Sequence, residues 1–341
     1  MDEINVVIYG VGAIGERIVK VVLAKRGLRI VGAVDMAEGK VGRDLGEVMG
    51  MGRRLGVTVT DDPNQLFREV SADIALIATT SYLKSVYPQI VSCVEAGVNV
   101  ISTAEELAYP WIKNPQLAGR IDGLAKGYGV TVLGTGVNPG FFFDTLPITL
   151  TGLCREVRRI EGVRCVPTGR RRPSFQRKIG TGMLPEAFME ALKRGEITGH
   201  VGLHESIALT AAALGWRLDE IRELPPEPVI AEGEVKTTYT TVKPGRMLGY
   251  IAVAEGVMDG RTVITYRLVM HAGVEEGYQE YVIDGEPSFR VRMSQVEGDW
   301  ETAHMVVNMI PHVLNAPPGL LTMKDLPIPH ALPEDVRIYL E

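Results

Sequence analysis

Cysteine is scarce in this sequence of 341 residues. The chain has only Cys93, Cys154 and Cys165, which are widely spaced and form no Cys-x-x-Cys pair, so neither a disulfide framework nor a thiolate metal site is indicated. No apolar run approaches the roughly 18 residues that a membrane span requires, and the start, Met1-Asp2-Glu3, is unlike a signal peptide. A net charge of only −6 argues against nucleic acid as the main partner. We therefore expect a cytoplasmic protein that binds neither membrane nor nucleic acid.

Glycine, in contrast, recurs in a meaningful pattern near the start of the chain. The apolar run Ile4–Tyr9 predicts a buried strand and continues into Gly10-Val11-Gly12-Ala13-Ile14-Gly15, after which apolar residues recur at helical spacing. In this Gly-x-Gly-x-x-Gly pattern the first glycine turns the chain, the second lets the backbone approach a pyrophosphate, and the third lets the helix pack close to the strand. The phosphates would lie on the free N–H groups at the helix N-terminus.

A second apolar strand, Leu28–Val34, ends at Asp35. A carboxylate at this spacing from the glycines accepts hydrogen bonds from the adenosine ribose, so the stretch predicts a dinucleotide site and favours NAD. Lys40 and Arg43 follow closely enough to fold over the adenosine, which leaves NADP open as well. The alternative interpretation is an ordinary turn followed by an acidic residue at a strand end.

The length of the chain predicts two domains, because one core rarely organises this many residues. Strand and helix alternate over about the first 135 residues, which predicts a doubly wound parallel sheet, a Rossmann domain over residues 1–140. Ligands of such sheets bind past the carboxyl ends of the strands. We therefore expect one crevice to be lined by the residues that follow these strands: Gly10, Asp35, Thr79, Thr80, Ser102, Thr103, Glu105 and Glu106.

The second half of the sequence has longer strand-like runs. They are Val157–Val166, Val229–Val242, Leu248–Val257, Thr262–His271 and Tyr278–Ile283, with turns marked by Lys243-Pro244-Gly245, Met258-Asp259-Gly260 and Asp284-Gly285. This predicts an α+β domain over residues 141–298, built on an open mixed or antiparallel sheet and used for substrate binding and dimerisation. A last helix, Trp300–Val313, begins a segment over residues 299–341 that we expect to return to the first domain.

Several stretches carry a resemblance to a known family. They are Gly10–Gly15, Val98–Glu106, Gly134–Phe141, Gly199–Ser206, Val307–Pro311 and Ala316–Leu320. Together they resemble the 2,4-diaminopentanoate dehydrogenase and native amine dehydrogenase family nearly from end to end. The layout is more distantly similar to dihydrodipicolinate reductase, but the chain lacks that enzyme's His-His-rich loop and its Lys-x-Asp-x-Pro-Ser-Gly segment.

The resemblance implies an NAD(P)-dependent oxidoreductase that deaminates a small amine or diamino acid to a ketone and ammonia, or runs the reverse reductive amination. A carboxylate suits the proton transfer on nitrogen, and Glu105 and Glu106 directly follow the strand expected to end under the nicotinamide. Adjacent residues point in different directions, so we expect one of the two to be catalytic and favour Glu105. The alternative is that both are exposed carboxylates that cap the next segment.

The loop after the last parallel strand contributes further candidates. Asn138 suits the nicotinamide carboxamide, which needs both a donor and an acceptor, although it could be a plain turn residue. At least one of the consecutive aromatics Phe141, Phe142 and Phe143 is expected to wall the substrate pocket while the others pack as core. We expect His200 and Asn308, which lie in stretches that carry the resemblance, in the same pocket.

The remaining polar motifs are less specific. His200 and His204 are spaced so that a helix would place them on one face, but a third ligand is missing and we expect no metal. The run Arg170-Arg171-Arg172, with Arg177 and Lys178, predicts a solvated loop, or a cation for a substrate carboxylate or cofactor phosphate.

Two alternatives to an amine dehydrogenase remain open at this stage. One is an ammonia-independent imine or aldehyde reductase, and the other is a non-catalytic dinucleotide-binding sensor with the same fold. The long sheet of the second domain also leads us to expect a homodimer.

Overall fold

A computed structural model describes residues 2–294 and 298–340. In these ranges the strands are β1 (Ile4–Tyr9), β2 (Leu28–Val34), β3 (Val59–Thr60), β4 (Ile74–Ile77), β5 (Asn99–Ser102), β6 (Thr131–Gly134), β7 (Glu156–Pro167), β8 (Glu220–Glu223), β9 (Glu227–Ile230), β10 (Val235–Lys236), β11 (Thr241–Val242), β12 (Met247–Met258), β13 (Arg261–His271), β14 (Tyr278–Glu286), β15 (Phe289–Ser294) and β16 (Gly319–Leu321). The α-helices are α1 (Ala13–Ala24), α2 (Leu45–Val48), α3 (Pro63–Glu69), α4 (Leu83–Glu95), α5 (Pro115–Tyr128), α6 (Thr145–Thr151), α7 (Pro173–Lys178), α8 (Pro185–Lys193), α9 (Leu203–Ala213), α10 (Asp299–Asn308) and α11 (Ile310–Leu314).

These elements form two units. The first unit comprises Met1–Phe141 together with Gly298–Glu341, and the second comprises Phe142–Glu297. None of the described helices is both long and apolar enough to cross a membrane.

The first unit is built on a parallel sheet with the strand order β16-β6-β5-β4-β1-β2-β3. The apolar run of β1 is buried on both faces, which confirms the predicted buried strand. Helix α1 instead buries a single stripe, formed by Gly15, Ile18, Val19, Val21 and Val22. The predicted doubly wound Rossmann architecture is confirmed.

The C-terminal segment contributes a strand and two helices to this unit, where the sequence predicts a single helix. Strand β16 extends the sheet beside β6, and Arg17 of α1 pairs with Asp299 of α10 at 3.6 Å. The single helix predicted over Trp300–Val313 is wrong, because the chain forms α10 and then α11. Pro311 lies in the first turn of α11 and has no N–H to continue the helical ladder from α10.

The second unit contains a mixed sheet with the order β15-β14-β7-β13-β12-β8, and β9 pairs with the other part of β12. Strands β7 and β13 run parallel, whereas the other pairs in this sheet are antiparallel. The predicted α+β class with an open mixed sheet is thus confirmed. Helix α9 packs on one face through Leu203, Ile207 and Ala211, and Phe143 stacks on Tyr266 in the same core.

Two local predictions in this unit are wrong. The strand expected over Val229–Val242 is broken into β9, β10 and β11, because the Thr237 hydroxyl accepts hydrogen bonds from the N–H groups of Tyr239 and Thr240 and folds a turn between β10 and β11. The turn expected at Asp284-Gly285 is instead a bulge within β14, where a Cβ at Gly285 would lie 2.3 Å from the Glu156 oxygen.

Candidate functional site

The glycine turn between β1 and α1 has the geometry of a phosphate cradle. Gly10 has a φ of +98°, and a Cβ at Gly15 would lie 1.9 Å from the Gly10 oxygen, so both positions require glycine. A Cβ at Gly12 would meet no atom within 4 Å. No side chain of the described residues caps α1, so the first N–H groups of the helix, from Ala13 and Ile14 onward, are directed to this space. The turn therefore fits the pyrophosphate of a dinucleotide.

Asp35 lies beside this turn and is held in place by its neighbours. Its Oδ2 accepts hydrogen bonds from the Val11 N–H at 2.8 Å and from Lys40 Nζ at 2.9 Å, and its Oδ1 accepts one from the Ala37 N–H at 2.9 Å. Burial acts to raise the pKa of Asp35, but the hydrogen bonds from Lys40, Ala37 and Val11 and the positive charge of Lys40 bring it below its usual value. The carboxylate is therefore ionised at neutral pH.

The polar residues predicted after β4 and β5 shape the backbone at these strand ends. Thr79 donates from its hydroxyl to Gln89 at 2.6 Å, and the Thr80 hydroxyl accepts from the Tyr82 N–H at 3.4 Å. The buried Ser102 hydroxyl accepts from the Ala104 N–H at 3.1 Å, and Thr103 donates from its N–H to the Ile77 oxygen at 2.9 Å. These contacts fix the carboxyl edge of the parallel sheet.

The two candidate catalytic carboxylates lie in the short 3₁₀ turn Glu105–Leu107 and have different surroundings. Glu106 Oε2 accepts a hydrogen bond from the Leu83 N–H at 2.8 Å and so satisfies the start of α4. The same residue donates from its N–H to the Ser81 oxygen at 3.1 Å. Glu106 thus caps α4, a helix that precedes it in the chain, whereas the alternative interpretation has both carboxylates cap the next segment. The choice of Glu105 as the catalytic residue stays a prediction.

Gly134, at the end of β6, explains how the turn that carries Glu105 is positioned. A Cβ at Gly134 would lie 2.4 Å from the Leu107 carbonyl carbon and 2.7 Å from the Ala108 nitrogen. The absence of a side chain therefore lets the 3₁₀ turn pack directly on the strand. Asn138 follows in the loop after β6, where it is joined to Pro139 by a cis peptide bond.

The three consecutive aromatics separate into different environments. Phe141 is half-buried, Phe142 is buried with the Arg164 guanidinium 4.0 Å from its ring centroid, and Phe143 stacks on Tyr266 in the core. The prediction that Phe141 or Phe142 walls a substrate pocket stays a prediction. Asn308, the last residue of α10, is half-buried in the first unit.

His200 and His204 are not on one helix face, so that expectation is wrong. Helix α9 begins at Leu203 after Gly202, whose φ is +116°, and His200 lies in the preceding loop, where its N–H donates to Tyr250 Oη at 2.6 Å. Burial, together with the charges of Lys178 and Arg164, lowers the pKa of His200 to about 3. His204 Nδ1 lies 3.7 Å from a Glu223 carboxylate oxygen. Within the described ranges, no group of three or more His, Cys, Asp or Glu is arranged to hold a metal ion.

Arg164 is a candidate site residue that none of the sequence motifs indicates. It is only 4% exposed and lies on the core face of β7, where its cross-strand neighbour on β14 is Gln279. Gln279 is 0% exposed, and neither amide atom has a hydrogen-bond partner among the described residues. The alternation of strand residues indicates the burial of Arg164, because side chains at every second position face the same side of a strand. Arg164 is in this way on the same side as Ile160, Gly162 and Val166.

The basic side chains of the run Arg170-Arg171-Arg172, Arg177 and Lys178 have different surroundings. The guanidinium groups of Arg171 and Arg177 pack over the rings of Phe175 and Tyr239 at 5.0 and 5.4 Å. The positive charge of Lys178, in contrast, acts on His200 and helps to lower the pKa of its imidazole. Unit two thus places the cations Lys178 and Arg164 near a neutral His200, with the buried amide of Gln279 opposite Arg164. The same unit also buries the carboxyl groups of Asp144 and Glu205.

Comparisons with known proteins agree with these features. Residues 141–341 match the family described as 2,4-diaminopentanoate dehydrogenase C-terminal domain, and residues 4–105 match the N-terminus of dihydrodipicolinate reductase. The chain is 36% identical to the 2,4-diaminopentanoate dehydrogenase of Acetoanaerobium sticklandii, over 99% of this chain and 97% of that relative. It is 25% identical to an amine dehydrogenase of Streptomyces virginiae, over 96% and 98% of the two chains.

Among solved structures, an amine dehydrogenase from Mycobacterium smegmatis is similar with a TM-score of 0.86 and 30% identity, over 98% of both chains. A dihydrodipicolinate reductase from Paenisporosarcina, at 15% identity and a TM-score of 0.53, shares the fold. The full-length matches are to dehydrogenases, so the expectation of a catalytic protein is confirmed against the sensor alternative.

Proposed function

We propose that this chain, which belongs to the 2,4-diaminopentanoate dehydrogenase family and is an NAD(P)-dependent amine dehydrogenase, acts on a small amine that also carries a carboxylate, such as a diamino acid. The reaction is oxidative deamination, in which the amine, NAD(P)+ and water give a ketone, ammonia and NAD(P)H, or the reverse reductive amination. A 2,4-diaminopentanoate-like compound fits this description.

The observation that carries the substrate class is the buried cation Arg164. A guanidinium is costly to bury and presents a fork of donors that matches a carboxylate. The Phe142 ring packs against the guanidinium of Arg164, whose central carbon lies 4.0 Å from the ring centroid. The amide of Gln279, buried opposite Arg164, supplies a further donor. We infer that the second unit recognises the carboxylate of the substrate.

The first unit supplies the proton transfer and the cofactor site. When bound, the nicotinamide dinucleotide accepts the hydride from the carbon that bears the amine. Glu105 acts as the general base that removes a proton from the substrate ammonium, and Asn138 orients the carboxamide. Gly10, Gly12, Gly15 and the N-terminus of α1 hold the pyrophosphate.

The test compares two substrates that differ in the carboxylate. Turnover of 4-aminopentanoate and of 2-aminopentane, which has a methyl group in place of the carboxylate, is measured for the wild type, Arg164→Met, Arg164→Lys and the control Arg159→Met, which lies on β7 with the opposite parity. We expect the wild type to prefer the amino acid, and Arg164→Met to lower its kcat/KM by about 10- to 100-fold with little effect on 2-aminopentane. Arg164→Lys keeps the charge without the fork and guards against a variant that fails to fold.

Equal turnover of both substrates by the wild type would contradict the assignment of the carboxylate. An unchanged preference in folded Arg164→Met would contradict the role of this residue. Omitting ammonium from the reductive assay distinguishes the remaining alternative, an ammonia-independent imine or aldehyde reductase, because only that enzyme would keep its full rate.

We propose in addition that the protein is a cytoplasmic homodimer that associates through the second unit. The sheet face opposite the core carries the cross-strand row Val253, Arg267, Val163, Glu280 and Arg292. The row mixes apolar residues with charges of both signs, and Glu280 and Arg292 within it already pair at 3.7 Å. We therefore expect Val163 and Val253 to form the apolar part of the contact with a second copy. The cysteines of the chain, Cys93, Cys154 and Cys165, are free thiols, which suits a reducing compartment such as the cytoplasm. Analytical ultracentrifugation tests the dimer, and the variant Val163→Glu should shift it to monomer.

A further inference from the structure

Lys40 bridges two parts of the adenosine end of the glycine turn. Its Nζ lies 2.9 Å from Asp35 Oδ2 and 3.0 Å from the Val11 carbonyl oxygen. The short turn that follows Asp35 holds it there, because the Lys40 N–H donates to the Ala37 oxygen at 2.8 Å and the Gly42 N–H donates to the Val59 oxygen at 2.8 Å. The ammonium is thus placed by the fold and not by a flexible tail.

This position changes the electrostatics at the residue that usually selects NAD. A carboxylate at the end of β2 repels a 2′-phosphate, and Asp35 is ionised here. Lys40, however, places a compensating positive charge in direct contact with it. The carboxylate keeps room for a ribose hydroxyl, since it accepts three hydrogen bonds and an ionised carboxylate can accept about four.

The ammonium also has capacity for a phosphate oxygen. It carries three N–H donors, of which Asp35 and the Val11 oxygen take two. Arg43, the other cation nearby in the sequence, is exposed and donates to the Gly39 oxygen at 3.1 Å. Met36, directly after Asp35, is 72% exposed and offers no charge.

We propose that Lys40 is the residue that lets this site accept nucleotides with a 2′-phosphate despite Asp35, so that the enzyme uses both NAD and NADP. With NAD the ribose hydroxyl bonds to Asp35, and with NADP the third donor of Lys40 bonds to the phosphate. This inference deepens the proposed function and rests on its dinucleotide site, but not on the identity of the amine substrate.

Binding of cofactor fragments tests the inference without any turnover. The affinities of adenosine 2′,5′-bisphosphate and of ADP are measured by calorimetry for the wild type, Lys40→Met and the matched control Arg43→Met. We expect the wild type to bind both ligands, and Lys40→Met to bind the bisphosphate about 10- to 100-fold more weakly while its affinity for ADP changes by less than about threefold. Arg43→Met should behave like the wild type.

Three outcomes would overturn the inference. The wild type could fail to bind the bisphosphate, both ligands could weaken equally in Lys40→Met, or Arg43→Met could show the selective loss. The variant Asp35→Asn provides a complementary check, because it should weaken ADP binding and strengthen bisphosphate binding. Thermal unfolding of each variant separates a lost contact from a lost fold, and failure of the amine assays would leave these binding results unaffected.

Discussion

The two units of this molecule prepare their functional groups in different ways. In the first unit the relevant side chains are tied to backbone groups at the ends of parallel strands, as Asp35 is to Val11 and Glu106 is to Leu83. In the second unit Arg164 and Gln279 are buried side chains that lie opposite each other on neighbouring strands of a mixed sheet. The first arrangement depends on backbone geometry, whereas the second depends on the burial of charge. Variants of each kind should therefore fail in different ways.

The largest effect is expected from Gly12→Val. A Cβ at Gly12 would meet no atom of the described residues within 4 Å, and it would occupy the space that we assign to the pyrophosphate. The variant should therefore fold normally by circular dichroism and lose dinucleotide binding, measured by NADH fluorescence titration.

The matched comparison is Gly15→Val. Its Cβ would lie 1.9 Å from the Gly10 oxygen, so this variant should lose stability as well as binding. If Gly12→Val keeps the affinity of the wild type for NADH, the whole placement of the dinucleotide is wrong.

The next effect in size is expected from Glu105→Gln. The variant keeps shape and hydrogen bonding but loses the base, and such losses typically lower kcat by about 10² to 10⁴-fold. Deamination by the wild type should become faster as pH rises, because the substrate ammonium must lose a proton before hydride can leave the carbon. The measurement is kcat as a function of pH for the wild type and Glu105→Gln. The affinity for NADH is measured alongside and should be the same in both.

Glu106→Gln is the control for this prediction. Because its carboxylate accepts the Leu83 N–H at the start of α4, we expect a lower melting temperature and nearly normal turnover. Normal turnover of Glu105→Gln with loss in Glu106→Gln would move the catalytic role by one residue, and normal turnover of both would refute the carboxylate mechanism.

The difference between the units also explains what could be predicted from the sequence. The turn at Gly10, the helix after it and Asp35 are local patterns, and strand–helix alternation defines a parallel sheet without further information. The parallel pairing of β7 with β13 depends instead on contacts distant in sequence, which no local pattern encodes. For the same reason the sequence predicts a turn at Asp284-Gly285, whereas the close approach of the Glu156 backbone to Gly285 accompanies a bulge there.

Gly134 illustrates the same limit within the first unit. The sequence indicated that Glu105 follows β5, but not that the end of β6 supports its turn. We expect Gly134→Ala to displace Glu105 and lower kcat by about 10- to 100-fold, since small misplacements of catalytic groups are costly. NADH affinity should change little. Gly119→Ala, a position in α5 with nothing within 4 Å of the added Cβ, serves as the control, and equal kcat values for the two variants would contradict this support.

The smallest effect is expected from the buried His200 of the second unit, and it concerns how the stability of the protein depends on pH. The pKa of His200 is lowered to about 3 by burial and by Lys178 and Arg164, whereas in the unfolded chain it is about 6.5. Above pH 6.5 both states are neutral at this residue. Below that pH only the unfolded state takes up the proton, so stability is lost as pH falls from about 6.5 toward 3, by up to about 2 kcal/mol at pH 5.

His200→Gln removes this contribution, and its melting temperature should therefore fall less between pH 7.5 and pH 5 than that of the wild type. The exposed His304→Gln should keep the profile of the wild type. If His200→Gln and the wild type lose stability in parallel, His200 is protonated in the folded protein and the second unit does not hold the positive field that we assign to its carboxylate site.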